Sequence, residues 1–216
     1  MENKINYYLL GEKIIEELQP NGKKPRILLH ACCGPCSAHP LTYLCPHFDV
    51  TILFNNSNIY PKEEHDKRYD VLLELIEDLK RDYGYDIKVV LPPYDNEGYT
   101  KDLEPLKDIP EGGARCFYCY EKRMDEAYKY ANENGYDYFT TVMSISRYKN
   151  AQVLNSIGQK LSEKYPNTKY FYSDFKKAKG QDHRNELVRL YKLYDQNYCG
   201  CVYSYNEMLE RTKKDV

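Results

Sequence analysis

Three features of the sequence predict an α/β protein, Rossmann-like, with an open, mainly parallel five-stranded sheet and helices on both faces. Short apolar, β-prone runs at residues 26–29, 50–54, 87–91, 138–142 and 170–172 alternate with longer stretches of helical spacing. Strand, loop, helix, strand in that rhythm is the βαβ unit of parallel sheets. The first run ends in His30-Ala31-Cys32-Cys33-Gly34-Pro35-Cys36-Ser37, and ligands of open α/β sheets bind beyond the carboxyl ends of the strands. A cysteine-rich active site at that edge is expected.

Each element has its own signal. Leu10, Ile14, Ile15 and Leu18 fall at helical spacing, and Asn21-Gly22 stops the helix. After the first strand, Ser37 is placed to cap a helix running to about residue 44. The second strand leads into the polar loop Asn55-Asn56-Ser57-Asn58, and Pro61 opens a charged helix to about residue 83, with Val71, Leu72, Leu75, Ile76 and Leu79 inward. Residues 92–113 read as loop, and Cys116-Phe117-Tyr118-Cys119 opens a helix that ends near Gly135. Residues 150–165 form a further helix between the fourth and fifth strands, and the last helix follows Cys199-Gly200-Cys201. No linker or internal repeat divides the chain, which predicts one catalytic domain over residues 1–216.

Composition narrows the function. No secretory signal and no apolar run of membrane-spanning length is visible, so a cytoplasmic protein without membrane association is expected. Eight cysteines in a reducing compartment point to metal ligands or catalytic thiols over a disulfide framework. The net charge of −2 means that nucleic acid can be held only by a local basic patch. Lys176, Lys177, Lys179, His183 and Arg184 after the fifth strand, with Arg147 and Lys149 after the fourth, supply one at the sheet edge. The 24 tyrosines are scattered through every segment and include a few candidate base-stacking platforms.

Three cysteines in five residues at a strand end have little structural use, since free thiols are kept for reactivity more than for packing. Cys32 and Cys33 with the C-x-x-C of Cys116 and Cys119 can supply four thiolates to one centre, an iron–sulfur cluster or a zinc ion. Adjacent side chains after a strand point apart, so Cys32 and Cys33 need not reach the same ion, and Cys36 or Asp174 could serve an additional mononuclear iron. Cys33-Gly34-Pro35-Cys36 also reads as a thioredoxin-type C-G-P-C, whose function would be thiol–disulfide exchange. A zinc-stapled RNA-binding module is the third class. Cys45 lies outside every motif and reads as a buried filler thiol.

The pattern resembles the cobalamin-independent epoxyqueuosine reductases of tRNA modification. The resemblance rests on His30-Ala31-Cys32-Cys33-Gly34-Pro35-Cys36, on Arg115-Cys116-Phe117-Tyr118-Cys119-Tyr120 with Arg123, and on Ser144 and Ser146 with Lys149-Asn150. Asp174-Phe175-Lys176-Lys177 with Gly180, and Tyr198-Cys199-Gly200-Cys201, complete it. It implies reduction of epoxyqueuosine to queuosine at the wobble position, the last step of queuosine biosynthesis, with an external low-potential electron donor. It further implies a [4Fe-4S] cluster on Cys32, Cys33, Cys116 and Cys119, and a redox-active pair at Cys199 and Cys201 able to close a disulfide. The sheet it implies is that of nucleotide-binding α/β domains, although this chain has cysteines where their Gly-rich phosphate loop would be.

Overall fold

The computed structural model describes residues 4–18 and 22–214. Its elements run α1 (Tyr7–Glu16), β1 (Arg26–His30), α2 (Gly34–Leu44), β2 (Asp49–Leu53), α3 (Lys62–Tyr83), β3 (Lys88–Val90) and α4 (Asn96–Leu103). They continue with α5 (Ala114–Glu133), β4 (Tyr138–Thr141), α6 (Ala151–Lys164), β5 (Lys169–Tyr170), α7 (Gly180–Leu190) and α8 (Val202–Lys214). The five strands lie in the order β3-β2-β1-β4-β5, and every pairing is parallel. The open sheet expected from the alternation is therefore present, and it is wholly parallel.

β1 is the central strand, which is why its middle residues, Ile27, Leu28 and Leu29, are apolar on both faces. Ile27 and Leu29 pack with Leu41, Leu72 and Phe171 on one side, whereas Leu28 packs with Met124, Tyr128 and Leu154 on the other. Helices α2 and α3 thus cover one face and α5 and α6 the other. Ile27, Leu28 and Leu29 are completely buried, each worth about 1.5–3 kcal/mol of apolar transfer. The order reverses at β1, where chain connections leave toward β2 on one side and β4 on the other. That switch point puts the crevice directly above the cysteine turn.

Three local expectations differ from what the chain does. Helix α2 begins at Gly34, and Ser37 is not its cap. Cys33 is the cap: its sulfur accepts the Cys36 N–H at 3.4 Å, while Ser37 Oγ donates to the Cys33 carbonyl at 2.7 Å. Pro35 in the first turn suits a helix start, and Gly34 is small because a Cβ there would stand 2.8 Å from the Val71 carbonyl of α3. Residues 92–113 are not all loop, since Asp95 accepts the Gly98 N–H and so caps α4. β5 is only two residues long. The stop expected at Asn21 lies outside the described residues.

Candidate active site

The turn after β1 brings the sulfurs of Cys32, Cys33 and Cys36 within 4.8 Å of one another. Among the described residues this is the one group of three or more potential metal-binding side chains so gathered, so an additional mononuclear iron has no second set of its own. Hydrogen bonds from Cys33 and Cys36 hold Cys32 well below the ordinary thiol range, and Cys36 is pushed up to about 12, chiefly by its bond to Cys32. Three sulfurs gathered this closely are a soft donor set for a metal. The C-G-P-C reading fits less well, because Cys33, the thiol that would attack a disulfide, is completely buried.

Helix α5 presents Cys116 and Cys119 on its inner face, at the spacing of successive turns. The Gly112 N–H donates to Cys116 Sγ at 3.3 Å, and Tyr99 Oη donates to Cys119 Sγ at 3.2 Å. These two thiols line a cavity with Cys199 and Cys201. Burial pushes the Cys119 thiol up to about 11, against the opposing pull of Arg123. Cys199 and Cys201 are free thiols, as are the other six cysteines. Arg68 of α3 holds their segment, donating to the Cys199 carbonyl at 3.0 Å and the Tyr198 carbonyl at 3.2 Å. Gly200 has φ +135°, and a Cβ there would lie 3.1 Å from Arg68 Nη1, so the turn requires glycine.

Cations join the two groups of thiols. Arg123 is 2% exposed, and it donates from Nη2 to Asn56 Oδ1, whose amide in turn donates to the Ala31 carbonyl at 2.7 Å. Its Nε has no hydrogen-bond partner. Burial disfavours its charge, but the sulfurs of Cys119 and Cys32 keep its pKa raised, so the guanidinium serves both sets at once. Burial likewise opposes the charge on Lys149, and Cys199, Cys32 and Cys36 together outweigh it. A cation held away from water needs a compensating anion, and the Cys32 sulfur, the one thiol of the triad held low, is shared by both cations.

The other expected residues are dispersed. Asp174 is buried but accepts from Lys176 Nζ at 2.7 Å and lines a separate cavity with His39 and Phe175, outside the sulfur triad. Lys176 also donates to the Ser144 carbonyl at 3.0 Å, Arg184 is paired with Asp195 at 2.5 Å, and His183 meets His39 at 3.1 Å. Lys149 is half-buried and belongs to the thiols, which leaves Arg147, Lys177 and Lys179 as the exposed part of the expected patch. Cys45 is buried within the core, and burial pushes its thiol up to about 12, as a filler thiol requires.

Sequence reasoning did not single out Arg68, Tyr99 or Gln196, and gave Arg123 no role. Arg68 lies four and seven residues before Leu72 and Leu75, and Arg123 three and seven after Tyr120 and Cys116. An arginine in the apolar register of a helix is a readable signal of a buried counter-charge.

A family model described as "Epoxyqueuosine reductase QueH" matches residues 27–207. The chain belongs to the QueH family. It is 40% identical over 203 residues to the epoxyqueuosine reductase QueH of Staphylococcus aureus, a match covering 93% of this chain and 84% of that protein. The QueH of Thermotoga maritima is 30% identical over 191 residues, covering 87% of this chain and 93% of the relative. Among solved structures, the U34-tRNA thiolase NcsA from Methanococcus maripaludis with its [4Fe-4S] cluster superposes with a TM-score of 0.51. That match has 14% identity and covers 95% of this chain and 72% of the thiolase, a likeness of fold. No described helix of this QueH chain is long and apolar enough to cross a membrane.

Proposed function

We propose that this chain reduces epoxyqueuosine to queuosine at the wobble position of tRNA, in the cytoplasm where tRNA is modified. The observation that carries the proposal is the gathering of Cys32, Cys33 and Cys36 within 4.8 Å at the end of β1 in a QueH-family chain. Four ligands are assigned to a [4Fe-4S] cluster, Cys32 and Cys33 from the turn and Cys116 and Cys119 from α5, with Cys36 beside them. The donor set fits: soft thiolates, backed by a buried guanidinium with an unpartnered Nε and by Lys149, suit a thiolate-ligated cluster of net negative charge. When bound, such a cluster would supply electrons singly at low potential.

The reaction removes the epoxide oxygen and leaves a carbon–carbon double bond. Two electrons and two protons enter, and the oxygen leaves as water. An external low-potential donor would provide the electrons. The chain's own part is electrostatic and positional. Arg123 fixes the cysteine turn through Asn56, and Lys149 Nζ holds a proton beside Cys199, Cys32 and Cys36. Cys199 and Cys201, free thiols that line a cavity with Cys116 and Cys119, cycle in this reading between dithiol and disulfide. Asp174 acts indirectly, by holding Lys176.

tRNA is held from outside by Arg147, Lys177 and Lys179. Tyr148 beside Arg147 is 94% exposed, a ready surface for an unstacked base. The test is anaerobic incubation of the iron-loaded protein with a strong one-electron reductant and epoxyqueuosine-containing tRNA, followed by nucleoside analysis. Queuosine is the expected product, and unchanged epoxyqueuosine would overturn the reading. Iron and sulfide counts on the same sample assign Cys36, since an iron beyond the four of the cluster would require it as a separate ligand.

A further inference from the structure

The cavity that holds Cys116, Cys119, Cys199 and Cys201 is also lined by two buried polar side chains with unmet hydrogen bonds, Asn58 and Arg115. Both are 3% exposed. Asn58 Oδ1 has no donor, and Arg115 Nε and Nη2 have no acceptor. Arg115 is otherwise fixed: Nη1 donates to the Lys107 carbonyl at 2.7 Å, and the guanidinium lies 4.3 Å from the centre of the Tyr203 ring. Glu207 Oε1 stands 3.8 Å from Nη2, beyond hydrogen-bond distance. Buried polar atoms left without partners are costly, and three of them belong to side chains around one cavity.

We propose that Arg115 and Asn58 form a recognition subsite for a hydroxylated ring, the substrate's cyclopentane diol beside the epoxide. This deepens the reductase reading and rests on it. The two N–H groups of Arg115 lie on the same edge of a planar fork and ask for one or two acceptor oxygens. Asn58 Oδ1 asks for a donor. A phosphate satisfies the arginine but offers nothing to the asparagine, whereas hydroxyls both accept and donate. A vicinal diol therefore meets all three unmet atoms, and it places the adjoining carbons of the same ring against the thiol side of the cavity. Sites built to hydrogen-bond a hydroxyl reject analogues that lack it far more strongly than apolar pockets reject an extra methylene.

The experiment compares affinity for one tRNA in two forms, bearing epoxyqueuosine or bearing 7-aminomethyl-7-deazaguanine, which lacks the cyclopentane ring. Wild-type protein is expected to prefer the first by roughly tenfold to a hundredfold, the range of one or two charge-assisted hydrogen bonds. Arg115→Lys and Asn58→Ala should each abolish most of that preference, with iron content and affinity for the tRNA lacking the cyclopentane unchanged. Asn58→Asp retains the acceptor and should retain the preference. Equal affinity of the wild type for the two tRNAs, in protein that still makes queuosine, would overturn the subsite while leaving the reductase intact. Loss of iron in Arg115→Lys would overturn it too, assigning that guanidinium to the metal centre. A wild type that neither discriminates nor reduces would remove the reductase reading and the subsite with it.

Discussion

Gln196 Nε2 stands 3.1 Å from the sulfur of Cys33 and 3.9 Å from that of Cys36. The segment that carries Cys199 and Cys201 therefore also reaches the triad at the end of β1. An N–H aimed at a sulfur favours the thiolate, and at Cys33 it opposes burial, which pushes that thiol well above its ordinary range.

Gln196→Leu removes this donor. Alkylation of the metal-free triad by iodoacetamide is expected to shift to higher pH by about one unit, the scale of a hydrogen bond to a charged group. An unshifted profile would mean that Gln196 only fills space.

Cys116→Ser and Cys119→Ser should each lose iron, visible absorbance and reduction together, because a hard hydroxyl replaces a soft ligand. Cys36→Ser separates ligand from neighbour. If Cys36 is a neighbour only, iron is retained and triad reactivity changes. Full iron and full activity in both α5 variants would remove Cys116 and Cys119 from the assignment.

Lys177→Ala with Lys179→Ala should weaken tRNA binding and flatten its dependence on salt, by up to about 0.7–0.9 in log–log slope for each phosphate no longer neutralised. Lys176→Ala, whose ammonium is occupied by Asp174 and Ser144, should change the slope little. Tyr148→Ala should weaken binding without altering the slope, since stacking releases no counterions. Equal slopes for all three variants and wild type would place the RNA on another face.

Acid should destabilise the fold between pH 6.5 and about 4 through His39. Burial, with His183 adding to it, lowers the His39 pKa from 6.5 to about 4, so across that window the unfolded chain binds the extra proton and stability falls as pH falls. The contribution is complete above pH 6.5 and is lost by about pH 4, at most about 3 kcal/mol. His39→Gln should flatten that part of the profile of urea midpoint against pH. A slope equal to wild type would show that His39 is protonated at little cost.

Much of this was legible because it depends on local pattern. Runs such as residues 26–29 and 50–54 announce buried parallel strands, and the alternation with helices sets the sheet and its ligand-binding edge. The start of α2 was not legible, since Gly34-Pro35 reads as a turn and a cysteine is not a recognised cap. α4 was hidden by its brevity behind Pro92-Pro93. The basic patch failed in part for a different reason: a lysine in sequence does not reveal whether a carboxylate two residues earlier will claim it, as Asp174 claims Lys176. Cys116 and Cys119 show their spacing openly, but their closeness to Cys199 and Cys201 depends on how the segment held by Arg68 returns, which no local signal encodes.

The central position of β1 has a consequence for how the protein is made. Cys32 and Cys33 emerge early in synthesis, Cys116 and Cys119 near the middle, and Gln196, Cys199 and Cys201 late, yet Gln196 meets Cys33 and the last two cysteines line a cavity with Cys116 and Cys119. Contacts of such wide sequence separation form only after the intervening crossovers have docked. A group that draws ligands from both β1 and α5 therefore has no complete nest on a nascent chain. Any group held by both would be seated only after α5 has docked on the sheet.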